Sequence, residues 1–391
     1  MRWLPILCSL GLMRPSMAQT ALPAGIVLHN DSSLLSVFGF RMQNRADFHH
    51  LAGAGQRSDE LNFQVRRFRL KLDGHAISPR LEYKVQLGLS NRDMEIGDGS
   101  LDDNPILDAM VFYKLGTNTR LGLGQGKQPG GRQAIISSGA LELPERPLAN
   151  SAFVEDRDRG LTLVQLIPWG KQVLHALGAV SQGEGRAMFR DNKGLCFTGR
   201  MEWLPLGEFR DGGEYREGDL DREPNPKLAV AVAYSSNRNA QRARAQSGPR
   251  LPDGQSRTIG TFFADAVFKH MGWAWQTDLD RRLAAGSPLV PDTASQLITA
   301  VNEGWGLTNQ LSRMVGKHSQ LIARHSMVRL DPDASPYYKD RDEAMLGYTH
   351  YISGHRIKLQ SAVFYDWGNG VFDLEHPGNQ YGLILQVEMG I

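Results

Sequence analysis

The sequence has 391 residues, 41% hydrophobic and 22% charged, with 44 Lys and Arg against 42 Asp and Glu for a formal charge of +2. Ordinary apolar content at low net charge excludes a disordered chain, and two cysteines exclude a disulfide scaffold. Beyond the first twenty residues no uncharged apolar run is long enough for a membrane-spanning helix, which leaves open a barrel, whose alternating strands escape hydropathy.

Met1 to Ala18 reads as a secretory signal: Arg2 starts it, Trp3 to Met13 is apolar, and Ser16-Met17-Ala18 offers small residues for cleavage. Loss of Arg2 and Arg14 leaves equal numbers of basic and acidic residues, and Cys196 without a partner. Residues 19–33 are expected to form a short periplasmic lead-in. Residues 34–391 contain no Pro/Ser linker and read as one domain.

From there the pattern has a period of two. Phe38, Phe40 and Met42 alternate with Arg41, Gln43 and Arg45, and Phe68, Leu70 and Leu72 with Arg67, Arg69 and Lys71. Leu81, Tyr83, Val85 and Leu87 oppose Glu82, Lys84 and Gln86. Later, Phe197, Met201 and Trp203 oppose Arg200 and Glu202, and Ile357, Leu359 and Val363 oppose Arg356, Lys358 and Gln360. The end is the clearest: Tyr381, Leu383, Leu385, Val387, Met389 and Ile391 share one face. Short turns are expected at Asp73-Gly74, Gly116-Thr117-Asn118, Gly170-Lys171 and Ser353-Gly354. Long loops are expected near 49–60, 93–104, 128–157, 208–225, 239–256, 284–302 and 367–379. Strands begin near 34, 61, 79, 105, 119, 158, 172, 193, 226, 257, 272, 304, 317, 342, 355 and 380. The prediction is all-β: a transmembrane antiparallel β-barrel of about 16 strands, porin-like, with short turns at one end and long loops at the other.

A lipid-facing Arg or Lys at mid-membrane costs roughly 2–4 kcal/mol. The polar phase is therefore assigned to a wet lumen carrying Arg41, Arg45, Arg67, Arg69, Lys71, Lys84, Lys114, Arg200, Arg356 and Lys358. The alternative for each is a structural ion pair, such as Lys84 with Glu82 or Arg200 with Glu202. Arg66 sits on the apolar phase and is expected to snorkel to the outer interface. The loop from Gln128 to Arg157, with Arg132, Glu142, Glu145 and Arg146, is expected to fold inward as a constriction, the alternative being a surface loop or subunit contact. Trp169, Trp203, Trp273, Trp275, Trp305, Tyr348, Tyr351 and Trp367 suit interfacial girdles. No cofactor, metal or nucleic-acid partner is expected. Gly122 to Lys127 lacks a Ser or Thr after the lysine, and His49-His50 lacks ligand spacing. Ser353, His350 and His355 are the residues a hydrolase would use, yet no strained nucleophile turn accompanies them.

The stretch FQVRRFRLKLDGHAISPRLEYKVQLGLS, Phe63 to Ser90, resembles the phosphate-selective porins of the O and P type. Leu107-Asp108-Ala109, the run GLGQGKQPGGR, Asp156 to Gly160, Trp203 to Gly207, and Gly347-Tyr348 with Gly354-His355 are similar in the same order. The resemblance implies a passive, trimeric channel in the outer membrane of a Gram-negative-type bacterium, set among lipid and lipopolysaccharide. It would pass small anions such as phosphate or polyphosphate and have no enzymatic role. The alternatives are an outer-membrane hydrolase and a structural or adhesion barrel with a plugged lumen.

Overall fold

Alternation in the sequence becomes two faces of a wall. In the last strand Leu383, Leu385, Val387 and Met389 are exposed, while Ile384, Gln386 and Glu388 are buried. The same in-and-out pattern runs along Cys196–Leu204 and Gly304–Val315. The computed structural model describes residues 25–53, 58–94, 104–186, 194–252, 254–292, 295, 297–334 and 339–391. The signal expected at 1–18 and the start of the lead-in lie outside the described residues.

The barrel strands are β1 (Leu34–Leu51), β2 (Ser58–Ala76), β3 (Leu81–Gly88), β4 (Ile106–Lys114), β5 (Thr119–Lys127), β6 (Arg157–Trp169), β7 (Gln172–Ser181) and β8 (Cys196–Leu204). The second half is β9 (Lys227–Ala240), β10 (Arg257–His270), β11 (Trp273–Ala284), β12 (Gly304–Val315), β13 (Ser319–Leu330), β14 (Arg341–Ser353), β15 (Ile357–Gly368) and β16 (Gln380–Gly390). Each pairs antiparallel with its sequence neighbours, and β16 closes on β1, with Arg41 opposite Gly390 and Leu51 opposite Gln380. Closure leaves no unpaired edge, as a wall in lipid requires. Every strand begins within three residues of its expected start. A short strand, Ile26–Asn30, pairs with Leu35–Phe38 along β1, beyond the point where β16 ends.

At the turn end, β10 and β11 join through Met271 and Gly272 alone, both at positive φ (48° and 85°), which matches the right-handed twist of the flanking strands. Asp73-Gly74 is not a turn. It lies within β2, and the chain reverses over 77–80. Gly74 is needed there for another reason: a Cβ would stand 1.8 Å from the Leu35 carbonyl oxygen. The described residues of 49–60 are mostly strand, since β1 runs to Leu51 and β2 starts at Ser58. The segment expected as a loop at 208–225 joins β8 to β9, so it belongs to the turn end.

Two segments occupy the lumen. From the loop end comes 128–156, with short helices Arg132–Ile135 and Leu148–Phe153. Its Leu143 packs against Ile322, Met345, Ala362, Phe364 and Ile384, and its Ala149 and Phe153 against Val328. From the turn end comes 205–226, anchored by Phe209 on Leu204, Ala229 and Val267. The two meet. Glu217 N donates to Ala140 O (3.0 Å), Glu142 N donates to Glu217 Oε2 (2.9 Å), and Arg132 Nη1 donates to Glu214 O (2.6 Å).

Trp169, Trp203, Trp273 and Trp275 are exposed near the turn end, and Tyr348 is exposed as well. Trp305 and Trp367 are half-buried near the loop end. Tyr351 departs from the expected girdle: it is buried inside and its hydroxyl donates to Gln320 Oε1.

Candidate functional site: an arginine cluster in the narrowed lumen

The site starts from a register fault. Gln43 faces Arg67 but Asn44 faces Val65, so Arg66 is an extra residue in β2. A bulge turns two adjacent side chains to one side. Arg66 therefore does not snorkel outward. It is 4% exposed and points inside beside Arg67.

Arg66 grips Glu145 of the inward loop with two bonds, Nε to Oε1 (2.7 Å) and Nη2 to Oε2 (3.0 Å). Arg45 binds the same carboxylate and also donates to Pro144 O (2.8 Å). Arg69 pairs with Asp93 (Nε to Oδ2, 2.9 Å) and donates to Ser138 Oγ (3.1 Å). Arg146 spends its donors on the Gln133 and Ile136 carbonyl oxygens, both at 2.8 Å. Arg67 donates to Gln43 Oε1 (2.7 Å), and among the described residues it forms no ion pair. Arg66, Arg69 and Arg146 lie close enough to repel it. Among the described residues, the set Arg45, Arg66, Arg67, Arg69 and Arg146 thus has three carboxylates as ion-pair partners, Glu145, Asp93 and Asp47 (3.7 Å from Arg45), a local excess of positive charge at low dielectric. Burial pushes the Glu145 carboxyl up, but Arg45, Arg66 and Arg67 outweigh it and hold the group well below the usual carboxylate range.

Toward the turn end a second tier lines β2 to β5. Lys71 pairs with Asp73, Lys84 with Asp108 (3.0 Å), and Lys114 with Glu82 (2.7 Å), which Arg120 also approaches (3.5 Å). The side chains of Lys71, Lys84 and Arg120 keep 41%, 35% and 40% of their exposure, so the wet part of the lumen runs along this wall. Arg41 joins it from β1, 3.2 Å from Glu388.

The remaining expected cations are placed differently. Arg200 and Arg132 are fully buried, sharing Asp265 and Glu202. Lys358 is fully buried, donating to the Gly139 and Leu141 carbonyl oxygens beside Glu388. These three fasten the inward loop to the wall. Arg356 is not in the lumen: β15 begins at Ile357, and Arg356 is exposed on the turn before it. The partner of Lys84 is Asp108 rather than Glu82. Arg120 was missed by sequence reasoning although it shares the inward phase of Gly122; Arg66 carried no signal, because only pairing reveals a bulge. Where loop and insert meet, burial and the nearby Glu217 push the Glu142 carboxyl up to about 7, and burial does the same for Glu214.

Residues 38–205, from the first barrel strand to the end of the eighth, match the family model described as phosphate-selective porin O and P. No curated protein matches the chain. Among solved structures, the chain is similar to an anion-selective porin from Comamonas acidovorans, at 13% identity and TM-score 0.54 over 92% of this chain and all of that one. It is similar to OmpF of Salmonella typhi in complex with daunomycin, at 11% identity and TM-score 0.57 over 94% and 100%. OmpT of Vibrio cholerae in its trimer form aligns at 10% identity and TM-score 0.51 over 90% and 99%. At such identities the likeness shows the fold. With the family match over the first eight strands, the closed sixteen-strand wall and its apolar outer face, the chain is a porin-type barrel of the bacterial outer membrane.

Proposed function

We propose that this barrel is a passive porin for small anions, with oxyanions such as phosphate its best-fitting solutes. The observation that carries the reading is the set Arg45, Arg66, Arg67, Arg69 and Arg146 around Glu145, Asp93 and Asp47 where the inward loop meets the wall. A guanidinium fork presents two parallel donors to two oxygens of one anion. The second tier of Lys71, Lys84, Lys114 and Arg120 supplies weaker, wetter sites beyond it, and several moderate sites favour flux over capture. The barrel acts as a channel and not a hydrolase. His350 bonds Ser319 Oγ (3.1 Å) and the ring of His355 stacks edge-on with Tyr351, so neither addresses Ser353 as a base would. Three copies are proposed to pack through the outer apolar hollow that includes Phe63, Val65, Leu359, Leu385 and Val387, in line with the trimer form of the Vibrio cholerae neighbour, with lipid and lipopolysaccharide around them.

Single-channel recording in planar bilayers under a tenfold KCl gradient tests the proposal. Chloride preference, with current reduced by added inorganic phosphate, supports it; cation preference refutes it. A second reading, a barrel closed by its own contents, is favoured by the burial of nearly every inward side chain from β8 to β16. Absence of conductance in correctly folded protein would select that reading.

A further inference from the structure

On the far side of the inward loop from the arginine cluster, β11 turns two successive inward carboxylates, Asp278 and Asp280, into a small closed space. They are 5% and 6% exposed. The space has a volume of about 10 Å³, room for one atom-sized species, and Gln133, Asn150, Gly131 and Thr308 also line it. Its unpartnered buried polar atoms are oxygens. Asp278 Oδ2 accepts from Gln276 (3.0 Å), but Asp278 Oδ1 has no partner, and neither has Gln133 Oε1, whose own amide nitrogen is engaged by Glu217. Asp280 makes no hydrogen bond or ion pair among the described residues. The neighbouring cations are occupied. Arg132 is held by Asp265 and Glu202, and Arg282 donates to the Ala152 and Phe153 carbonyl oxygens (3.1 and 2.7 Å).

Two buried carboxylates whose neighbouring cations are shared, Arg282 with Glu155 and Arg132 with Asp265 and Glu202, are costly, and a water molecule filling the space would not neutralise them. We infer that this pocket is a binding site for a hard divalent cation of the calcium type, held by Asp278, Asp280 and the amide oxygens of Gln133 and Asn150. Among the described residues no group of three or more acidic, His or Cys side chains is placed to hold a metal, so side-chain amide oxygens complete this set. Calcium accepts such mixed oxygen ligands in flexible geometry, whereas magnesium keeps several waters that the space does not admit. The cation would bridge the loop, through Gln133 and Asn150, to the barrel wall, through Asp278 and Asp280. It is independent of whether the lumen passes anions.

The test uses the full chain, detergent-purified and stripped with EDTA, titrated with calcium chloride by isothermal calorimetry. One saturable calcium per chain, with an affinity weakened by about 100-fold or more in the D278N/D280N double variant, supports the site. No saturable uptake by the wild type, or equal affinity in the double variant, overturns it; proton sharing between the two carboxyls would give the first result. If the double variant loses heat-modifiable gel mobility and so is not folded, Gln133→Leu replaces it. That variant keeps both carboxylates and should bind about 10-fold more weakly, and unchanged affinity in it overturns the assignment.

Discussion

Replacing Arg67 by Gln removes a cluster arginine without an ion-pair partner among the described residues, while leaving the hydrogen bond to Gln43 within reach of an amide. An anion passing at about 5 Å interacts with a unit charge by roughly 1–3 kcal/mol for an effective dielectric constant between about 80 and 20. At 0.1 M salt the screening length is about 10 Å, so the lower part of that range applies. The chloride-to-potassium permeability ratio should then fall by about 4- to 10-fold, read as a shift of the reversal potential toward zero in a tenfold KCl gradient. Arg356→Gln serves as the control: that side chain sits on an exposed turn, and its removal should leave the potential where it was. Folding of both variants is checked by heat-modifiable gel mobility. An unmoved potential in folded Arg67→Gln, or an equal shift in Arg356→Gln, would refute the argument that the cluster sets selectivity.

Gly347→Ala places a Cβ 2.2 Å from Leu143 Cδ2, so the Leu143 side chain that anchors the inward loop must move, and we expect larger single-channel conductance together with a stability loss of about 1–3 kcal/mol by thermal melting. Phe209→Ala empties the anchor of the turn-end segment at a cost of about 3–5 kcal/mol, and limited proteolysis should then cut within 205–226. The pH dependence follows from Glu142 and Glu214, whose carboxyls are raised in the folded state to about 7. A raised acid binds its proton more tightly folded than unfolded. The lumen contacts should therefore be firmest below about pH 4.5 and weaken as pH rises through about 7. The melting temperature should be higher at pH 5 than at pH 8, and Glu142→Gln should reduce that difference; an identical pH profile in the variant would count against the assignment.

The strands were legible because a wall between lipid and water imposes one chemistry per face, and period-two alternation records it directly. The alternation gave each face but not each partner. Arg45 meets Glu145, Lys84 meets Asp108, and Lys358 meets the Leu141 carbonyl, all contacts across long sequence separations that local pattern cannot encode. Asp73-Gly74 carries a strong turn signal, yet cross-strand pairing through 72–76 overrides it, and the glycine serves close approach instead. The segment 205–226 was misplaced because its length resembles an outer loop. Counting strand parity assigns it to the other end, since an even-numbered strand leads into it. The inward loop was expected from length and charge, but its route depends on packing by Leu143 and Phe153 that no periodicity announces.

The turn-end segment rests on a wall that is apolar at Phe209 and polar around it. Lys269 reaches its Gly213 and Arg216 carbonyl oxygens, and Arg200, Glu202 and Asp265 stand nearby. Were that segment to swing out toward the periplasm, water could solvate the polar groups it had covered, and the Phe209 contacts with Leu204, Ala229 and Val267 would be the apolar cost. The bore seen here is therefore set by a handful of polar bonds and by Phe209.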